Sequence, residues 1–178
     1  MSTPSLNELV HEFQQELTRL SKGDITDLRR ASLQDGYTSA ALYKLLTMPA
    51  VAKSQYVQVS YERQWGELLS YMANDVEHGQ GERFSLGRAM AQAEVSELRL
   101  TRLLNAPVTD EQGEKRGRIP LHEEVRKVLS IIQSKQVKLW WSSVAKLMFY
   151  SAPYSEEIRR TIARDYYSHI NHTQNTSK

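Results

Sequence analysis

The sequence contains no cysteine, which removes several classes of site at once. Without a thiol there is no disulfide framework, no cysteine-ligated zinc and no thiol nucleophile. Glycine and proline are also scarce, 8 and 5 in 178 residues, and this argues against a β-rich fold with its many turns. No apolar run approaches the roughly 18 residues of a membrane span, and the first residues lack the basic start and apolar core of a signal peptide. We therefore expect a cytoplasmic protein.

Motifs that would indicate catalysis are missing too. The run His122-Glu123-Glu124 contains part of a zinc-protease helix, but Arg126 stands where the second histidine would be. His169 and His172 could in principle share a metal, yet no carboxylate lies near them in sequence. Nucleotide-binding, serine-hydrolase and EF-hand patterns do not occur. The sequence predicts no catalytic residue, no metal site and no cofactor, and hence no enzymatic activity.

What the sequence does contain is helical periodicity along almost its whole length. Ser5 and Glu8 have the form of a capping box, and apolar residues then recur at helical spacing. The longest candidate helix runs from about residue 54 to residue 77. The polar stretch at 105–119 reads as a linker. We predict an all-α protein of about nine helices in two small bundles, an N-terminal one at 1–112 and a C-terminal one at 113–178.

Charge is distributed unevenly along this chain, although the net value is only +2. Residues 1–80 contain 7 Lys or Arg and 10 Asp or Glu, whereas residues 81–178 contain 16 and 11. An asymmetry of this kind indicates an acidic partner such as nucleic acid, although solvated helix faces also produce it.

Ten basic residues stand at positions suited to a phosphate backbone. Arg99 and Arg102 share a helix face, and Arg88 follows Gly87, where small neighbours leave room for a backbone or a phosphate to approach. Guanidinium groups bind phosphates as bidentate forks, so these residues could form an electropositive path that reads no bases. The candidates are Arg29, Arg30, Arg88, Arg99, Arg102, Lys115, Arg116, Arg118, Arg126 and Lys127. Trp140, Trp141, Phe149 and Tyr150 could stack nucleobases, but their spacing favours core packing.

The order of segments resembles a known family. GDITDLRRAS is followed by FSLGRAMAQAEVSELRLTRLLNA, a basic helix, an aromatic segment and an acid-capped final helix. This order resembles the small subunit of the type I-E CRISPR Cascade complex, the CasB family. The likeness extends from about Gly23 to Tyr167 and is most specific in the block Phe84–Ala106, which contains SLGRA.

The resemblance implies a non-catalytic, all-α subunit of two bundles. Family members line up as two copies, contact the backbone subunits that hold the guide RNA, and stabilise the R-loop with its displaced DNA strand. The expected partners are the backbone and large Cascade subunits, a second copy of the chain, CRISPR RNA and target DNA, with no membrane. The resemblance also assigns family positions to several basic residues, namely Arg29, Arg30, Arg88, Arg99, Arg126 and Lys127.

Two other functions remain open on the sequence alone. A helix-turn-helix regulator would need a recognition helix, for which residues 96–105 are the candidate. A purely structural scaffold would bind only other proteins.

Overall fold

The computed structural model describes residues 4–31, 39–74, 78–107, 120–151 and 153–176. These residues form nine α-helices and two short 3-10 turns, with one isolated bridge between His78 and Leu139 and no strand. The all-α prediction is therefore confirmed. The helices are α1 Leu6–Leu17, α2 Lys22–Ala31, α3 Ala40–Leu46, α4 Glu62–Met72, α5 Leu86–Gln92, α6 Glu97–Asn105, α7 Leu121–Ser134, α8 Trp141–Phe149 and α9 Tyr154–Thr176. None of them is long and apolar enough to cross a membrane.

The chain divides into two compact units, Met1–Asp75 and Val76–Lys178. This division differs from the boundary at 112/113 that composition indicates. Helices α5 and α6 contact α9 and α7, so they belong with the C-terminal helices. A polar stretch marks a connection between helices, but the apolar faces decide which helices pack together, and those faces lie far apart in sequence.

Unit 1 is built on α1 to α4. The capping box at the start of α1 is present: Ser5 Oγ accepts from the Glu8 amide at 3.3 Å, and the Glu8 carboxylate accepts from the Ser5 amide at 2.6 Å. These hydrogen bonds lower the pKa of Glu8. In the core the Phe13 and Trp65 rings meet edge to face, with centroids 4.8 Å apart.

The predicted long helix at 54–77 is shorter in the structure. A 3-10 turn at Val59–Tyr61 precedes α4, and residues 54–58 form turns. Two local contacts explain the late start. Ser54 Oγ accepts from the Tyr56 amide at 3.3 Å, and the Trp65 indole donates back to the Tyr56 carbonyl at 2.7 Å. Both use polar groups of this segment outside a helical ladder.

Unit 2 is organised around α9, which packs against α5, α6 and α8. The closest approach is at Gly87 in α5, where an added Cβ would lie 2.2 Å from the carbonyl oxygen of Ile162. Ser85 Oγ donates to the Asp165 carboxylate at 2.5 Å beside this contact. Tyr166 donates its hydroxyl to the Val95 carbonyl at 2.5 Å, which ties α9 to the turn before α6.

Candidate nucleic-acid interface

Five of the ten predicted basic residues have no partner among the described residues. Within that part of the chain their side chains make no hydrogen bond, ion pair or ring contact. Three of them are exposed and two, Arg88 and Arg99, are partly buried. An arginine that is not engaged by the protein keeps its five N–H donors for a ligand. The five are Arg30, Arg88, Arg99, Arg102 and Arg126.

Four of these unpartnered arginines lie in unit 2, on three helices that are joined by contacts. Arg99 and Arg102 stand three residues apart on α6, and neighbours at that spacing share a helix face. Helix α6 contacts α7, which carries Arg126, and α7 contacts α5, which carries Arg88. Arg30 is the unpartnered arginine of unit 1, in the last turn of α2.

Arg29, the neighbour of Arg30, is engaged in packing. Its Nε donates to the carbonyl of Ala73 at 2.8 Å, and Ala73 is the C-cap residue of α4. Ser70 Oγ in turn donates to the Arg29 carbonyl at 3.3 Å. The side chain and backbone of Arg29 thus fasten α2 to the end of α4, where a cation also suits the negative end of the helix dipole.

Lys127 is engaged as well. Its Nζ lies 3.1 Å from Oε1 of Glu124, which is buried with an exposed fraction of 2%. A buried carboxylate without a partner is costly, so Lys127 has a structural task that the sequence did not suggest. The predicted residues Lys115, Arg116 and Arg118 lie outside the described residues.

The SLGRA segment makes a close helix contact, which is one of the two alternatives that the sequence left open. We expected the small residues around Arg88 to leave room for a backbone or a phosphate. At Gly87 the space is taken by the backbone of α9, because the Ile162 carbonyl approaches to within the reach of a Cβ. Glycine is needed there for close helix packing. Arg88 itself extends from the same short helix and is partly buried.

Sequence reasoning missed Arg159. Its guanidinium donates to the carbonyls of Leu104 and Ala106, the latter at 2.8 Å, at the C-terminal end of α6. Partial burial lowers the pKa of Arg159. A basic residue between Ile158 and Arg160 on an amphipathic helix looks like an ordinary solvent-facing cation, so the sequence does not indicate its structural role. Its partners lie 55 and 53 residues away in sequence, at the end of α6.

The remaining candidates from the sequence are the aromatic residues and the possible metal ligands. Trp141 and Phe149 are buried, as their spacing indicates, whereas Trp140 and Tyr150 are partly exposed. Within the described ranges no group of three or more His, Asp or Glu side chains is placed to hold a metal ion. The structure thus supplies unpartnered arginines on adjoining helices and, in the same ranges, no group of side chains placed to hold a metal ion.

Comparison with known proteins decides the family. A model of the CRISPR-associated protein Cse2 family matches residues 24–167. The chain belongs to the Cse2 family. This is the CasB family that the sequence resembles. All five unpartnered arginines fall inside the matched residues.

A solved structure agrees in fold. The chain is similar to M. ruber CasB, with a TM-score of 0.72 and 17% sequence identity, over 98% of this chain and 99% of that chain. At this identity the similarity supports the helical architecture alone. The curated proteins contain no match.

Proposed function

We propose that this Cse2-family chain is a non-catalytic subunit of a type I-E Cascade complex that holds nucleic-acid backbone and stabilises the R-loop in antiviral defence. The observation that carries the proposal is the set of five arginines without a partner among the described residues. Family membership supplies the CRISPR context for that set. The partners are the other Cascade subunits, a second copy of the chain, CRISPR RNA and target DNA, in the cytoplasm and away from membranes.

Backbone contacts are sufficient for such a role. R-loop formation exchanges one duplex for another at nearly balanced free energy, so modest contacts decide whether the R-loop persists. Arginine contacts to phosphates position a strand without reading its sequence, and a guide RNA already supplies the specificity. A single copy should bind weakly, because contacts spread over several subunits act through avidity.

The test replaces the α6 pair Arg99 and Arg102 by alanine in the reconstituted complex. We expect R-loop formation to weaken to a similar degree on every target sequence. The salt dependence of target binding, as log K against log salt, should become shallower by about one unit for each phosphate that the variant no longer binds. Folding should be unchanged, since neither side chain makes a hydrogen bond, an ion pair or a ring contact within the described residues.

A matched control removes two positive charges that are already paired. Lys135 pairs with Glu94 at 3.0 Å and Arg160 with Glu156 at 3.5 Å, both in unit 2. The double variant Lys135→Ala and Arg160→Ala should leave the salt slope unchanged. If the α6 variant behaves like this control, the subunit acts through protein contacts alone, as a scaffold. A sequence-specific footprint of the isolated chain on naked DNA would instead support the helix-turn-helix regulator.

A further inference from the structure

Unit 2 contains a cavity of about 500 Å³ that none of the ten predicted basic residues lines. It opens between the segment at 82–86, helix α8 and helix α9. Its volume falls within the range of about 300–1,000 Å³ that small-molecule sites occupy. The cavity is therefore large enough for a whole amino-acid side chain together with its flanking peptide groups.

Aromatic rings form one part of the cavity wall. Trp140, Tyr150 and Tyr154 line it, and the two tyrosine rings lie 6.3 Å apart. Tyr154 is 65% exposed, so much of its side chain is accessible to a ligand. Lys146 Nζ lies 5.0 Å from the centre of the Trp140 ring. A cation is thus already stacked on one of these rings, in the geometry of a cation–π contact.

Carboxylates outnumber cations in the rest of the lining. Glu82, Glu157 and Asp165 face the cavity together with Lys146 and Arg164. Ser85 holds one oxygen of Asp165 at 2.5 Å. The carboxylates of Glu82 and Glu157 have no hydrogen bond or ion pair within the described part of the chain. A phosphate entering this cavity would meet three negative and two positive charges, whereas a cation would gain from the excess of carboxylates and from the rings.

We propose that this cavity receives an arginine side chain of a partner protein. A guanidinium is planar, stacks on aromatic faces and binds a carboxylate through a fork of N–H donors, so it uses both parts of the wall. The inference goes beyond the proposed function, because none of the five arginines that carry that proposal lines the cavity and its occupant is a protein group. It can be tested on the isolated chain, without guide RNA or target DNA.

The test titrates the ¹⁵N-labelled full chain with Nα-acetyl-L-arginine amide and follows the tryptophan indole N–H signals. The Trp140 signal is assigned by its loss in Trp140→Phe. It should shift saturably with half-saturation on the order of 1 mM, as expected for so small a probe. The signals of Trp65 and Trp141 should not move, since both side chains are fully buried.

Matched probes and variants decide the outcome. Nα-acetyl-L-citrulline amide, nearly the same shape without the charge, should bind at least about threefold more weakly. Glu157→Gln should weaken arginine binding about two- to fivefold, as loss of a partly exposed ion pair does. Glu156→Gln is the control, because the Glu156 carboxylate pairs with Arg160 and does not line the cavity.

Three results would overturn the proposal. The first is the absence of a saturable Trp140 shift up to about 100 mM probe, a concentration far above the expected half-saturation. The second is equal binding of the arginine and citrulline probes, which would remove the electrostatic argument. The third is tighter binding of uridine 5′-monophosphate than of the arginine probe, which would make the cavity a nucleotide site.

Discussion

Replacing Gly87 by alanine tests the contact that organises unit 2. The added Cβ would lie 2.2 Å from the Ile162 carbonyl oxygen and 2.9 Å from the Asp165 Cβ. An ordinary contact needs about 3.4 Å, so α5 and α9 would have to separate by about 1.2 Å at this point. The obstacle is helix backbone and cannot rotate aside as a flexible side chain would.

The magnitude follows from two opposing contributions. Overpacking a closely packed contact costs about 1–3 kcal/mol, and a backbone obstacle places Gly87→Ala near the upper end. The helix preference of alanine over glycine returns at most about 1 kcal/mol. The expected net decrease in the free energy of unfolding is about 2 kcal/mol. For a unit of this size that lowers the melting temperature by about 8–16 °C.

Gly66→Ala is the matched control in unit 1. Gly66 also lies within a helix and is buried, but its added Cβ would meet only the Leu42 Cδ2 atom, at an ordinary 3.5 Å. This substitution should stabilise the protein by up to about 1 kcal/mol. Urea and thermal unfolding, followed by circular dichroism and tryptophan fluorescence, measure both variants. If Gly87→Ala is as stable as the unmodified chain, the close approach of α5 and α9 is refuted.

Three further predictions concern groups held inside unit 2. Arg159→Ala should lower the free energy of unfolding by about 1.5–3 kcal/mol, because two carbonyls at the end of α6 lose a charged donor. Urea unfolding measures this change. The control is the exposed residue Arg160, whose replacement by alanine should change the free energy of unfolding by less than about 0.5 kcal/mol. Lys127→Ala should lower the free energy of unfolding by about 2 kcal/mol, which is less than for a fully buried ion pair because the Lys127 side chain is 35% exposed. Adding Glu124→Gln to the same chain should recover part of that stability, because it removes the unpaired buried charge. Burial lowers the pKa of His78 below the usual 6.5, so the unfolded chain binds the proton more readily than the folded chain does. The free energy of unfolding should therefore decrease as the pH drops below about 6.5. Chemical denaturation from pH 7.5 to 5 should show a smaller decrease for His78→Gln.

The helices were largely predictable because their signals are local. The capping box at Ser5 and Glu8 and the apolar stripes need only a few neighbouring residues to be read. The helix prediction was wrong for the segment at 54–58, because the apolar spacing of this segment continues that of α4. The Tyr56 amide donates to Ser54 Oγ and the Trp65 indole donates to the Tyr56 carbonyl, and these hydrogen bonds hold the segment in turns.

The grouping of helices was harder to predict than the helices themselves. Composition indicates a connection at 105–119, whereas the division into units falls between residues 75 and 76. The decisive contact is the approach of α9 to Gly87, across more than 70 residues of chain. A glycine within a helical pattern indicates a close packing contact, but the sequence does not identify which segment makes that contact.

The candidate site shows why charge alone does not separate structural cations from binding ones. Arg29 and Arg30 are adjacent in sequence. The Arg29 side chain donates to the end of α4, whereas the Arg30 side chain has no hydrogen bond, ion pair or ring contact within the described residues. Arg126 and Lys127 divide in the same way, because successive helical residues point about 100° apart. A basic pair on an amphipathic helix therefore tends to place one member toward the protein and one toward solvent. For this chain that geometry makes Arg30 and Arg126 the members to test in nucleic-acid binding, and Arg29 and Lys127 the members to test in stability.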